Sequence, residues 1–492
     1  MRRRATTVGL LALCGLLAQA AQAQLMPRQQ GPFPPGRPRL EQARQGPGVR
    51  EAGRSPATLQ ETHLRLSLGK SLGPLKPLLG INAGPAPSGE SGNAELTAQY
   101  RWAGVREVRT QDFYGPLDLS VMYPDLAANP LSESSYDFST SDKAFTAIVH
   151  AGCEPYLRLG DSHNDVRVPS NRQEMQNYTR AAVRVVQHYR QGAMNGFTTP
   201  FRYVEIGNEP DNKHFWPARY EDFWPFFVTT FRELKRNMPD LKVGGPGFVV
   251  ASYKVPGARQ NVTRFLDYLK KEGVQPDFIS FHLYSDDPAE YYDMVQFYRR
   301  ETAQRGMGKV ELHVSEWNTE KGGMEVRVGR KAAPFVTACW IALQQAGADA
   351  SLLFRGTDTN INNPGFYGIF FADGSKKPSA YAFHLWSRMA RFTERLEITT
   401  GDELLDAAPS VDGSLQPVWA LAARDEAGNV GLLLANIGEQ QITCNLASDT
   451  ARSIEITEFD NPRGELTTRT ASSASSWTLK PLSVQFVNME TN

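Results

Sequence analysis

The chain has 492 residues, with 53 basic and 53 acidic side chains and no net charge. Without a dominant basic character, nothing points to a nucleic-acid partner. The length exceeds what one minimal core needs and implies a large domain joined to a smaller one.

The N-terminus reads as a targeting signal. "MRRR" supplies a positive start, "TTVGLLALCGLLA" an apolar run, and Ala21-Gln22-Ala23 a small-x-small cleavage site, so residues 1–23 are expected to direct export to the periplasm or beyond. The run is too short, and too soon followed by Gln and Pro, for a stable membrane span. Residues 24–57 are rich in Pro, Gly, Gln and Arg without apolar periodicity, the composition of a disordered leader. Its mild basicity leaves contact with an anionic surface open. Cys153, Cys339 and Cys444 are odd in number and lack C-x-x-C spacing, which predicts buried free thiols and neither a disulfide framework nor a zinc site.

From about residue 76 short β-branched runs alternate with helical stretches. The strands are "PLLGINAG", "GVREVRT", "EPYLRLG", "RYVEIGNEP", "LKVGGPG", "DFISFHLYS", "KVELHVSEW" and "ASLLFRG". Eight strands, each followed by a helix, predict an α/β fold, a (β/α)8 TIM barrel over residues 58–394. A doubly wound sheet would use the same units, but no Gly-rich phosphate fingerprint follows the first strand. After residue 395 the helical period gives way to alternating strands and turns, as expected of a smaller β-sandwich over 395–492. Residues 61–75 are a candidate extra strand for it.

Polar residues at the C-terminal strand ends of such a barrel face the active-site mouth. They are Arg109 and Asp112 after the second strand, Asp161 and His163 after the third, and Asn208 with Glu209 after the fourth. His282 and Tyr284 close the sixth strand, Glu316 and Trp317 the seventh, and Arg355 and Asp358 the eighth. Two glutamates thus converge from distant strands. Glycosidic cleavage needs such a pair, one carboxyl to protonate the leaving oxygen and one carboxylate to attack, or activate water at, the anomeric carbon. His282 and Tyr284 are placed to orient Glu316, and Asn208 to bond the sugar's 2-hydroxyl. His313, three residues before Glu316, reads by simple alternation as packing on the other face. Arg109 reads equally as a sugar ligand or as a buried carboxylate's partner. Trp216, Trp224, Trp317 and Tyr367 are candidate stacking platforms, with core packing the plainer reading of most aromatics. The dispersed histidines and the absence of H-E-x-x-H argue against a metal, and no cofactor is expected.

"VEIGNEPDNKHFW" and "SEWN", with "YDFSTSDKAFTAIVHAGCEPYLRLG", "VGGPG", "DFISFHLY" and "FYGIFFADGSKKPSAYAFHLW" in order between about residues 100 and 390, resemble clan A retaining glycoside hydrolases, and within them glycoside hydrolase family 39. That family includes β-xylosidases, α-L-iduronidases and exopolysaccharide hydrolases. The resemblance implies Glu209 as acid/base, Glu316 as nucleophile, and Asn208, His282 and Tyr284 as positioning residues. Substrate contacts are expected from Trp317, Arg109, Asp112, His163 and Arg355, with a carbohydrate as partner. Three positions depart from the family: Gly207 precedes Asn208 where many members have Trp, Arg109-Thr110-Gln111, followed by Asp112, stands where Arg-x-His is usual, and Phe354-Arg355 stand in the region of a Trp-Thr pair. The altered wall would suit an acidic or branched sugar. A catalytically silent carbohydrate-binding barrel associated with exopolysaccharide export is the rival reading, and exo and endo action both remain open.

Overall fold

The computed structural model describes residues 62–85, 95–112, 115–162, 166–320, 324–359, 365–400, 403–404, 417–446, 451–461, 464–471 and 476–491. The export signal at 1–23, the leader at 24–57 and His163 lie outside the described residues.

Strand β1 (Thr62–Pro74) precedes eight parallel strands that close into a barrel: β2 (Gly80–Asn82), β3 (Glu107–Arg109), β4 (Glu154–Leu159), β5 (Tyr203–Ile206), β6 (Lys242–Phe248), β7 (Phe278–Tyr284), β8 (Glu311–Asn318) and β9 (Ala350–Leu353). A helix follows each strand, ending with Pro378–Met389 after β9. The helix Arg172–Gln191 shows how local chemistry sets the ends. Asn171 accepts from the Glu174 backbone N–H at its start, and Gly192 ends it at φ 74°. The bottom of the barrel is filled by Tyr156, Tyr203, Phe278 and Leu352, contributed by four strands, so the interior is a packed core with the site above it.

The C-terminal strands are β10 (Glu394–Thr400), β11 (Glu403–Leu404), β12 (Val418–Arg424), β13 (Val430–Asn436), β14 (Ile442–Leu446), β15 (Ala451–Phe459), β16 (Thr467–Ala471), β17 (Ser476–Leu479) and β18 (Ser483–Thr491). They form one continuous sheet in the order β16-β15-β18-β13-β12-β10-β1-β14-β17, with β11 on β10. Two corrections follow. Strand β1, the extra strand expected at 61–75, does join this sheet, between β10 and β14, so it is the barrel boundary that changes: the barrel begins at β2 and not at residue 58. The two layers expected of a sandwich come from one sheet: Ile442, Cys444, Trp477 and Leu479 at one end share a core with Leu432, Leu434, Ile456 and Val487. Alternation lets β13 serve two cores at once. Leu432 and Leu434 face that core, whereas Leu433 and Ala435 join the barrel's core cluster. The helix Ala332–Ala346 is buried along nearly its whole length because it contacts β12, β13 and β18 as well as the helix Pro288–Gln304. Cys153, Cys339 and Cys444 are buried and unbridged.

Candidate active site

The end of β5 is a backbone device for placing one carboxylate. Gly207 has φ 94°, and a Cβ there would come within 2.9 Å of the Phe223 ring, so a larger side chain would collide with that ring. Glu209 itself adopts φ 45°, with its N–H donating to the Gly247 carbonyl at 2.9 Å. Residues at positive φ without being glycine cluster at functional sites. The Glu209 carboxylate lies 2.8 Å from His282 Nδ1 through Oε1 and accepts from Asn212 Nδ2 at 2.9 Å through Oε2.

Glu316 arrives from β8 by a register shift. Phe281 on β7 pairs with Val314, but the next residue, His282, pairs with Glu316, so Ser315 is the extra residue of a β-bulge. The bulge brings both His313 and Glu316 to the barrel interior. His313 lies 3.0 Å from the Tyr156 hydroxyl and stacks on Phe278. Its expected packing role fits these contacts, but its expected position on the outer face does not. Glu316 Oε1 accepts from the Tyr284 hydroxyl at 2.5 Å, and Oε2 from Arg109 Nη1 at 3.3 Å. Burial, then the Glu316 charge, raises the Tyr284 pKa well above its ordinary value, which keeps the phenol a donor.

Trp317, next in chain, points the opposite way. Its fully buried indole packs edge-on against Tyr291 and Trp340 and donates to Ser351 Oγ at 2.8 Å. The expectation that Trp317 contacts substrate is therefore corrected: neighbours in a strand face opposite sides. Trp216 and Trp224 are likewise packed among the aromatics of the helix Tyr220–Asn237. Tyr367 remains near the site, with its ring centroid 5.6 Å from that of Tyr284 and the Arg327 guanidinium 3.7 Å above it.

Arg109 organises the floor of the site. Its fully buried guanidinium donates from Nε to Glu205 Oε2 at 2.6 Å, from Nη1 to Asn82 Oδ1 at 3.0 Å and from Nη2 to Asn208 Oδ1 at 2.8 Å, besides reaching Glu316. Of the two readings of Arg109, the structure shows the buried carboxylate partner. Asn208 spends its carbonyl oxygen on Arg109, which leaves its NH2 as the end for a ligand. His282 is also corrected. It orients Glu209, not Glu316, whose Oε2 is 4.0 Å from Nδ1. Burial lowers the His282 pKa to about 4, so the ring is neutral at ordinary pH. Glu205, Asn82 and Asn212 were not among the sequence candidates. A visible signal existed only for Glu205, a charged residue in the middle of the apolar strand "YVEI".

On the β9 side, Arg355 Nη2 donates to Asp112 Oδ1 at 2.7 Å, while its Nε and Nη1 are buried without a hydrogen-bond partner. Asp112 is thereby a partner of Arg355. Asp161 accepts from the Ser120 and Arg167 backbone N–H groups and pins its loop, and Asp358 pairs with buried Lys377 at 2.7 Å. The structure thus brings together Glu209, Glu316, Asn208, His282, Tyr284 and Arg109, and sets Asp112 with Arg355 beside them.

One atom each of Glu209, His282 and Glu316 lie within 4.8 Å of one another, the residue types and spacing of a cation site. Arg109 already supplies a fixed positive charge there, 3.3 Å from Glu316.

Residues 103–319 match the family model of the glycosyl hydrolases family 39. A β-xylosidase of Caldicellulosiruptor saccharolyticus is 25% identical over 232 residues, an alignment covering 43% of this chain and 44% of that protein. The fold resembles a glucosidase from Croceicoccus marinus, with TM-score 0.70 at 22% identity over 87% of this chain and 99% of that one. It also resembles the family 39 enzyme from Xanthomonas axonopodis pv. citri, with TM-score 0.65 at 15% identity over 89% and 99% of the two chains. The segment that carries both glutamates is thus a glycosyl hydrolases family 39 sequence, set in the barrel fold of that clan A family.

Proposed function

We propose that the protein is a retaining glycoside hydrolase acting on an oligo- or polysaccharide. The observation that carries this reading is the approach of the Glu209 and Glu316 carboxylates to within 4.8 Å, the close spacing a double displacement uses. Glu316, held by the Tyr284 and Arg109 donors, attacks the anomeric carbon while Glu209 gives its proton to the departing glycosidic oxygen. Breaking that bond leaves a glycosyl ester on Glu316. Glu209, now a carboxylate, takes a proton from water as the water's oxygen displaces Glu316, which restores both groups. The Asn208 NH2 is the donor for the sugar's 2-hydroxyl, a contact that strengthens as positive charge develops on the ring. Neutral His282 and Asn212 hold the Glu209 carboxyl in place.

The glycone is the finer question. The Arg355–Asp112 ion pair beside the glutamates supports a sugar bearing a charged or acceptor substituent over a plain xyloside. The N-terminal signal supports action outside the cytoplasm. N-terminal sequencing of the secreted protein tests the second point.

Hydrolysis of a panel of aryl xylosides, glucosides, arabinofuranosides and uronides, together with bacterial polysaccharides, tests the rest. Trapping with a mechanism-based 2-fluoro glycoside of the sugar turned over should label Glu316. Ligand binding with neither turnover nor labelling would favour the silent carbohydrate-binding barrel.

A further inference from the structure

Glu205 lies on β5 four residues before Glu209 and is fully buried. A carboxylate taken entirely out of water costs several kcal/mol unless it is paired. Its partner is Arg109, with Nε 2.6 Å from Glu205 Oε2. Burial opposes the Glu205 charge, yet Arg109 foremost, with His282 and Ser280, outweighs it and holds the carboxyl below its ordinary range. The same guanidinium reaches Glu316 Oε2 at the longer distance of 3.3 Å. The cation under the two glutamates is therefore unequally shared, tightly with Glu205 and loosely with Glu316.

We infer that Glu205 is a positioning residue for the reaction: it anchors Arg109 and takes the larger share of its charge, so the guanidinium orients Glu316 without locking it in a full ion pair. This rests on the two-glutamate reading above. A carboxylate in a tight bidentate pair is a weak nucleophile, because its lone pairs and charge are already engaged. Without the Glu205 charge, Glu316 is the anionic partner left to Arg109 among the described residues.

The surroundings leave few other charges to take that role. Facing Glu205 are Arg109 from β3, Tyr156 from β4, His282 from β7 and His313 from β8, and burial favours the neutral form of both histidines. Facing Glu316 are Arg109, His282, Tyr284, Tyr367 and Glu209. Arg109 is the permanent cation of both sets. Gly247, at φ 67°, closes over the network: a Cβ there would lie 3.1 Å from His282 Nε2, 3.4 Å from Glu205 Oε1 and 3.5 Å from Arg109 Nη2. Bare backbone thus covers the pair.

The test is the pH profile of kcat/KM for wild type, Glu205→Gln and Glu205→Asp, with thermal melts as a folding check. Gln keeps the shape and one acceptor but removes the charge. The acid limb should then move to lower pH, and the plateau should fall roughly 10- to 100-fold. Asp keeps the charge on a shorter stem and should give an intermediate limb, which carries the test if the Gln variant does not fold. A lowered plateau with an unmoved acid limb would mean that Glu205 is structural only. If wild type hydrolyses no member of the panel, the hydrolase reading fails by itself. Glu205 is then tested by 13C NMR titration of carboxyl-labelled glutamates: the Glu316 signal should stay ionised to lower pH in Glu205→Gln, and superimposable curves would overturn the inference.

Discussion

The carboxylates of Glu209 and Glu316 approach within 4.8 Å of each other across the barrel mouth. An inverting pair stands roughly 6.5–9.5 Å apart to admit a water between carboxylate and sugar. The first product seen by 1H NMR should therefore keep the anomeric configuration of the substrate. Glu316→Ala should lose turnover by on the order of 10⁴-fold or more, and azide should restore it as an azido-sugar of opposite configuration. An inverted first product from wild type would remove Glu316 from the nucleophile role.

Tyr284→Phe removes the hydroxyl that donates to Glu316. A hydrogen bond to a charged group is worth about 1.5–3 kcal/mol, or roughly 10- to 150-fold in rate when it acts in the transition state. The loss should appear in kcat/KM, with the melting temperature nearly unchanged. Wild-type kinetics in this variant would show that Arg109 alone suffices to hold Glu316.

His282 contacts the acid/base glutamate, so its effect should depend on the leaving group. His282→Asn should slow aryl glycosides of poor leaving ability roughly 10- to 100-fold, and dinitrophenyl glycosides, which need no proton, far less. Because the ring's pKa is lowered to about 4, it is already neutral above that pH. No limb of the wild-type profile between pH 5 and 8 should vanish in the variant; disappearance of one would mean the imidazolium is functional.

Trp317 separates packing from stacking. Trp317→Phe gives up the bond to Ser351 and part of the contact with Trp340, and should cost about 1–3 kcal/mol of stability. KM should stay near the wild-type value. A large rise in KM without a drop in melting temperature would return Trp317 to the substrate site.

Glu311, at the bottom of the barrel, ties stability to acid pH. Burial opposes its charge, but bonds to His313 and Lys242 prevail and hold its carboxyl at about 2, against an ordinary value of 4.5. A carboxyl depressed in the folded state stabilises fully above its unfolded value and less as pH falls through the folded one. Thermal melts of wild type should lose this contribution between about pH 4.5 and 2. Glu311→Gln should be less stable than wild type at pH 6, and the difference should shrink by pH 2. A constant difference across that range would deny the linkage.

The amino-acid sequence by itself determined the barrel strands and the meeting of the two glutamates. The period of apolar residues is local, and a carboxylate closing an apolar strand at "NEP" and at "SEW" stands out against it. The sheet's membership was only half visible. Strand β1 lies between β10 and β14, more than 300 residues away in the chain, and its pairing depends on edges that no local pattern records. Tertiary structure alone decided which neighbours face the sugar. The bulge at Ser315 turns Glu316 inward and Trp317 outward and keeps His313 inside, against simple alternation. It alone also decided the partners of Arg109, because a guanidinium is satisfied by whatever acceptors the closed barrel brings around it: Glu205, Asn82 and Asn208 from two other strands and the loop after one of them. Sequence carries periodicity and chemistry along one strand; the choice of partner is made across the ring, where strands distant in the chain become neighbours.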